Sequence, residues 1–108
     1  MAVVTPFRIV LITAPRGRKA GALAKGLVAA RLAACVNVVP CVVSHYRWKG
    51  RMMRDGECLL IVKTSRAKLP ALTRWIGKNH PYEVPEALAL NVDAGSKGYL
   101  KWLAGELE

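Results

Sequence analysis

Residues 36–65 read VNVVPCVVSHYRWKGRMMRDGECLLIVKTS, and the fold turns on what this stretch contains. From Val42 the side chains alternate. Val42, Ser44, Tyr46 and Trp48 fall on one face of an extended chain, and Val43, His45, Arg47 and Lys49 on the other. Pro40 cannot donate a ladder hydrogen bond, so it marks an edge or a bulge. ECLLIVKTS (57–65) is a second β-rich run. KGRMMRDG (49–56) between them is polar and bounded by glycines, which reads as a turn. Two strands so joined form a long antiparallel hairpin, 36–65.

Both flanks of the hairpin read as helix plus strand. FRIVLITA (7–14) is nearly continuous in apolar residues, as in a strand covered on both faces. PRGRKAGALAKGLVAARLAAC (15–35) places Leu23, Leu27, Ala30 and Ala34 at helical spacing, which predicts an amphipathic helix of roughly five turns. Downstream, RAKLPALTRWIGKNH (66–80) repeats the pattern with Leu69, Leu72 and Ile76. Pro81 biases His80 away from the α region, so this helix ends there. ALALNVD (87–93) is a fourth strand. SKGYLKWLAGELE (96–108) is a short terminal helix with Ser96 as N-cap and Leu100, Leu103 and Leu107 on one face.

The order is β-α-β-β-α-β plus a final helix, one domain over 1–108. It predicts an α+β ferredoxin-like sandwich: a four-stranded antiparallel sheet with two helices on one face. The opposite face is left bare, and the hairpin has open edges. Both features predict self-association.

Composition agrees. The hydrophobic share is 53%, enough for a core without disulfides and enough to expect that a partner chain covers part of it. The net charge is +10, from 17 Lys and Arg against 7 Asp and Glu. Such a chain attracts nucleic acid, anionic membranes or acidic ligands. Cys35, Cys41 and Cys58 form no C-x-x-C pair, and MAVVTPFRIVLITAPRGRK lacks the charge order of a secretory leader. Its apolar run is too short to span a bilayer. These features predict a reduced, cytoplasmic protein with no membrane partner.

Five stretches carry a closer resemblance: ARLAACVNVVP (30–40), SHYRWKG (44–50), LLIVKT (59–64), HPYEVPE (80–86) and GYLKWL (98–103). Their order and spacing resemble the CutA divalent-cation-tolerance family from about Leu11 to Leu103. The resemblance implies a homotrimer with the architecture of PII-type signalling proteins, a role in tolerance or binding of divalent metals such as copper, and no catalysis. Of the copper ligands proposed in some members, only His80 is matched. Ile12 replaces a cysteine and Asn79 a second histidine. The first helix opens on Arg16, Arg18 and Lys19 where many members are acidic, and Cys41 stands where the family usually has glycine.

The candidate residues form three sets. His80, on a frame rigidified by Pro81 and Pro85, is a metal ligand or a hydrogen-bonding residue. Cys35 is its partner only if subunits bring ligands together. Within one chain Cys35 and Cys41 are six residues apart, roughly 20 Å if extended, beyond joint coordination. Tyr46, Trp48, Lys63, Tyr82, Glu83 and Glu86 are expected at an inter-subunit cleft. Lys63 interrupts an apolar strand and calls for a carboxylate such as Glu83 or Glu86 of the same or a neighbouring chain. Arg16, Arg18 and Lys19 crowd the first helix start and are candidates for a small anion. A basic nucleic-acid- or anion-binding module is the alternative reading. LLIVKTS lacks the aromatic pattern of ferredoxin-like RNA binders, and no catalytic triad or phosphate cradle can be assigned.

Overall fold

The hairpin turn is shorter than the sequence suggests. Trp48 pairs with Arg51, so only Lys49 and Gly50 lie outside the ladder. Both have positive φ, 50° and 78°, the backbone of a type I′ turn, whose twist matches that of the flanking strands. Arg51–Gly56, expected as turn, is therefore strand. The computed structural model describes residues 5–108. The first four residues of the expected domain, and of the segment read as lacking a leader, lie outside it.

The elements are β1 (Phe7–Pro15), α1 (Arg18–Ala29), β2 (Cys35–Trp48), β3 (Arg51–Ser65), a 3-10 turn (Arg66–Lys68), α2 (Leu69–Asn79), β4 (Leu88–Asn91) and α3 (Lys97–Glu106). The sheet order is β2-β3-β1-β4, and every pairing is antiparallel. This is the ferredoxin-like arrangement. The β2–β3 register shifts between Val39 and Val42, at Pro40, where a missing N–H favours a bulge.

Alternation along the strands sorts the residues into two faces. Val10, Ile12 and Ala14 of β1 and Cys58, Leu60 and Val62 of β3 pack against Ala20, Leu23 and Leu27 of α1 and Leu72 and Ile76 of α2. Leu27, Leu60, Leu72 and Ile76 are at most 1% exposed. Each such aliphatic side chain contributes about 1.5–3 kcal/mol. Thr64, also on this face, donates its hydroxyl to the Leu32 carbonyl at 2.7 Å.

The other face carries Ile9, Leu11, Leu59 and Ile61, all half-buried, with Leu88 and Leu90 exposed. Among the described residues, only one end of this face is covered. There Leu103 and Leu107 of α3 close over Phe7, with Leu100 beside them. Ser96 holds the N-cap position of α3 with extended backbone, but its hydroxyl makes no capping bond.

Helix α1 stops earlier than its apolar period suggests. The Leu32 N–H donates to Leu27 O at 3.0 Å and the Arg31 N–H to Val28 O at 3.0 Å, the paired bonds of a Schellman motif. Arg31 occupies the left-handed position with φ 57°, where glycine is usual. We expect Arg31→Gly to raise stability by about 0.5–1 kcal/mol. The left-handed strain it removes exceeds the entropy it adds to the unfolded chain. A shift of the urea midpoint checks this.

Candidate functional site

β3 is paired to β1 only from Glu57 onward, so the hairpin beyond that point overhangs the sheet as an arm. A cleft of about 900 Å³ opens where the arm leaves the sheet. Its walls are the arm (Ser44 to Trp48, Asp55 to Glu57), the end of β1 with Arg16, and the loop Pro81–Glu86. The loop following α2 is thus the cleft's third wall.

His80 fixes that loop. Its backbone is extended, φ −83° and ψ 139°, as the following proline requires. The Tyr82 N–H donates to Nδ1 at 3.1 Å, which leaves Nε2 to donate to the Thr13 carbonyl at 2.8 Å. Only 7% of the residue is exposed. Both ring nitrogens are therefore engaged by backbone, and the imidazole ties the loop to β1.

Tyr82 then turns into the cleft. Its hydroxyl donates to Glu57 Oε2 at 2.6 Å, and its ring lies 4.7 Å from that of His80. Burial, then the bond to Glu57, pushes its pKa well above the ordinary tyrosine value, so the hydroxyl stays a donor. Tyr46 makes a parallel bond from the arm, its hydroxyl donating to Asp55. That bond raises the Tyr46 pKa. Glu86 stands near Glu57; burial first and that charge second raise its pKa. Glu83 meets Lys49 at 3.9 Å, with both side chains more than 70% exposed, a pair that adds little stability. Lys49 also lies 5.6 Å above the Trp48 ring.

The cleft thus gathers Tyr46, Trp48, Tyr82, Glu83 and Glu86 from the sequence-predicted set, and Arg16 from the cationic set. Lys63 is elsewhere. It faces the uncovered sheet surface, where its amine donates to Asn37 and reaches Cys35 Sγ at 3.9 Å. Within the chain it meets neither Glu83 nor Glu86. Alternation puts Lys63 on the same β3 face as Glu57, Leu59 and Ile61, but six residues beyond Glu57, roughly 20 Å of strand from the cleft.

Arg16 donates to Cys41 Sγ at 3.2 Å, while Arg18 and Lys19 are exposed on α1. Cys35 and His80 are not brought together within the chain. Cys35 pairs across β3 from Lys63, whereas His80 is bound at Thr13. Among the described residues, no three His, Cys, Asp or Glu side chains gather closely enough to hold a metal ion.

Sequence reasoning missed Asp55 and Glu57. Their spacing of two places them on one strand face. The Asp-Gly pair at 55–56 instead suggested a turn and hid that signal. With Glu83 and Glu86 they bring four of the chain's seven acidic residues into one cleft.

A carboxylate whose folded pKa is raised stabilises the fold only while protonated. For Glu86 that contribution is complete below the ordinary carboxylate range and is lost as pH rises through the raised value. Glu86→Gln should therefore raise the melting temperature at pH 7. The gain should shrink toward pH 4, a trend that melting curves at the two pH values will check.

A ferredoxin-like domain with an overhanging hairpin and an acidic, tyrosine-lined cleft at its base is the class this geometry defines. The family profile described as CutA1 divalent ion tolerance protein matches residues 8–106, and the chain belongs to that family. A divalent-cation tolerance protein CutA of Thermus thermophilus is 48% identical over 95 residues, 88% of this chain and 92% of that protein. A CutA homolog of Xenopus laevis is 46% identical over 92 residues, 85% of this chain but 61% of the frog protein's length. The crystal structure of CutA1 from Oryza sativa superposes with a TM-score of 0.91 at 41% identity, over 95% of this chain and 94% of that one.

Proposed function

We propose that the chain works as a non-catalytic, homotrimeric divalent-cation-tolerance protein, and that its acidic cleft collects divalent cations, copper among them, at the subunit boundary. The observation that carries this reading is the charge arrangement. In a chain of net charge +10, four of seven acidic residues line a single cleft. Carboxylate oxygens suit hard divalent ions, and imidazole suits copper and zinc. His45 also lines the cleft. A neighbouring subunit seated on the uncovered sheet face would complete the wall that one chain leaves open.

Support for the trimer comes from Leu11, Leu59 and Ile61, half-buried, and from Leu88 and Leu90, which are 59% and 49% exposed. A sheet face this apolar is normally covered. The three cysteines are free, which fits a reducing, cytoplasmic setting. No described helix is long and apolar enough to cross a membrane.

Native mass spectrometry after incubation with Cu²⁺, Zn²⁺ or EDTA tests the proposal. The expected result is a three-chain species that takes up metal, with uptake weakened in Glu57→Gln and Glu86→Gln. Uptake lost instead in His80→Ala and Cys35→Ser would move the ion to the ligand pair suggested by the sequence. A trimer that takes up no metal refutes the cation role, and a monomer refutes the assembly.

A further inference from the structure

A further cavity lies at the opposite end of β1, about 530 Å³ in volume, and Arg8 and Arg66 supply its charge. Seven residues separate Arg8 from Pro15 at the cleft end, roughly 20 Å of strand. The two sites are independent.

Arg8 is an unusual residue for its position. It sits on the helix-facing side of β1, in register with Thr64 and Asn91, and is only 7% exposed. A buried guanidinium normally has a carboxylate partner. Here Nη1 donates to the carbonyls of Thr5 at 2.6 Å and Phe7 at 2.7 Å, and no carboxylate lines the cavity. Nε and Nη2 take no acceptor among the described residues. Arg8 lines the cavity, and the Nε–Nη2 edge is the part of its fork not spent on those two carbonyls.

The surroundings hold the fork still. The Arg66 N–H donates to Pro6 O at 2.7 Å, which fixes the second arginine's backbone against the loop that Arg8 clamps. Pro6, Ala67 and Pro70 form the remaining walls, rigid and apolar. A guanidinium edge fixed in advance and facing a cavity is suited to a planar or tetrahedral oxyanion, and loses little freedom when one arrives.

From this we infer that the Arg8–Arg66 cavity binds a small organic anion, a carboxylate or phosphate head on a short apolar body. The head meets the free edge of Arg8 and the Arg66 side chain, and the body lies against Pro6, Ala67 and Pro70. The cavity lies on the helix-covered side, so a subunit on the opposite sheet face leaves it open.

Binding of n-butyl phosphate, butyrate and inorganic phosphate to the full chain tests this, followed by the NMR shift of the Arg8 Nε–H at low salt. n-Butyl phosphate or butyrate should move that resonance saturably, and more tightly than inorganic phosphate does. The better of the two identifies the head group. Arg66 is exposed, so Arg66→Ala should fold normally and weaken binding roughly tenfold, the loss of one charge-assisted contact. Arg18→Ala, at the other end of the molecule, should leave binding unchanged. An unmoved Arg8 resonance overturns the inference. So does equal weakening by Arg18→Ala, which would mark diffuse attraction to a basic protein.

Discussion

Ile61→Arg is expected to yield a folded monomer in place of the trimer proposed for the parent chain. Ile61 lies at the centre of the uncovered face, paired with Leu11 on one side and Asn37 on the other. In one chain it is half-exposed, so an arginine there can extend into water and leave the helix-side core untouched. In an assembly that covers this face, the same guanidinium would be buried without an acid. The penalty is several kcal/mol per chain, repeated in each subunit. Sedimentation or native mass should show loss of the larger species, with helix and strand signals retained. A trimer that persists would mean that the chains meet elsewhere.

His80→Ala should cost the fold about 2–4 kcal/mol. The change strands two partly buried backbone groups, the Tyr82 N–H and the Thr13 carbonyl, and leaves a hole beneath the Tyr82 ring. Unsatisfied buried polar groups each cost about 1–3 kcal/mol, and partial access to water lowers the sum. The loop Pro81–Glu86 should loosen, and with it the bond between Tyr82 and Glu57. Urea unfolding at fixed chain concentration gives the number, because assembly makes apparent stability concentration-dependent. An unchanged midpoint would show that the imidazole is not what holds the loop, and would return it to the set of free ligands.

The order of elements was legible because the chain puts two strand patterns side by side at 36–65 and a helix pattern on each flank. Its failures have local causes. The first helix was read too long because Arg31 fills a position where glycine usually announces the stop. The hairpin arm was read too short because Arg51, Arg54, Asp55 and Gly56 interrupt the apolar alternation, leaving only Met52 and Met53 between the two strand patterns. The cleft was half legible. HPYE-x-P and Y-x-W named one residue set from each wall. Glu57 went unnoticed, since its role depends on a hydroxyl that arrives from 25 residues away. Lys63 stands apart from the cleft of a single chain because it lies six residues beyond Glu57 on the same strand face, roughly 20 Å away. The cavity at Arg8 left no mark in the sequence. A lone arginine in an apolar strand acquires its meaning only when the chain folds back at Pro6 and Arg66.

The Lys49–Gly50 turn also makes β2–β3 the most local pairing in the sheet. It joins strands that follow each other directly, and hairpins of this kind form within roughly 1–10 μs. The β1–β4 pairing, by contrast, must bring residue 8 to residue 91 and waits on a far larger search. Until the long-range pairings form, the arm has unpaired edges. Arms in that condition are prone to zip onto one another. Arg47, Lys49, Arg51 and Arg54 all sit at the tip of the arm, and like charges at such short range repel even through physiological salt. The basic tip thus disfavours edge-to-edge pairing of two such arms.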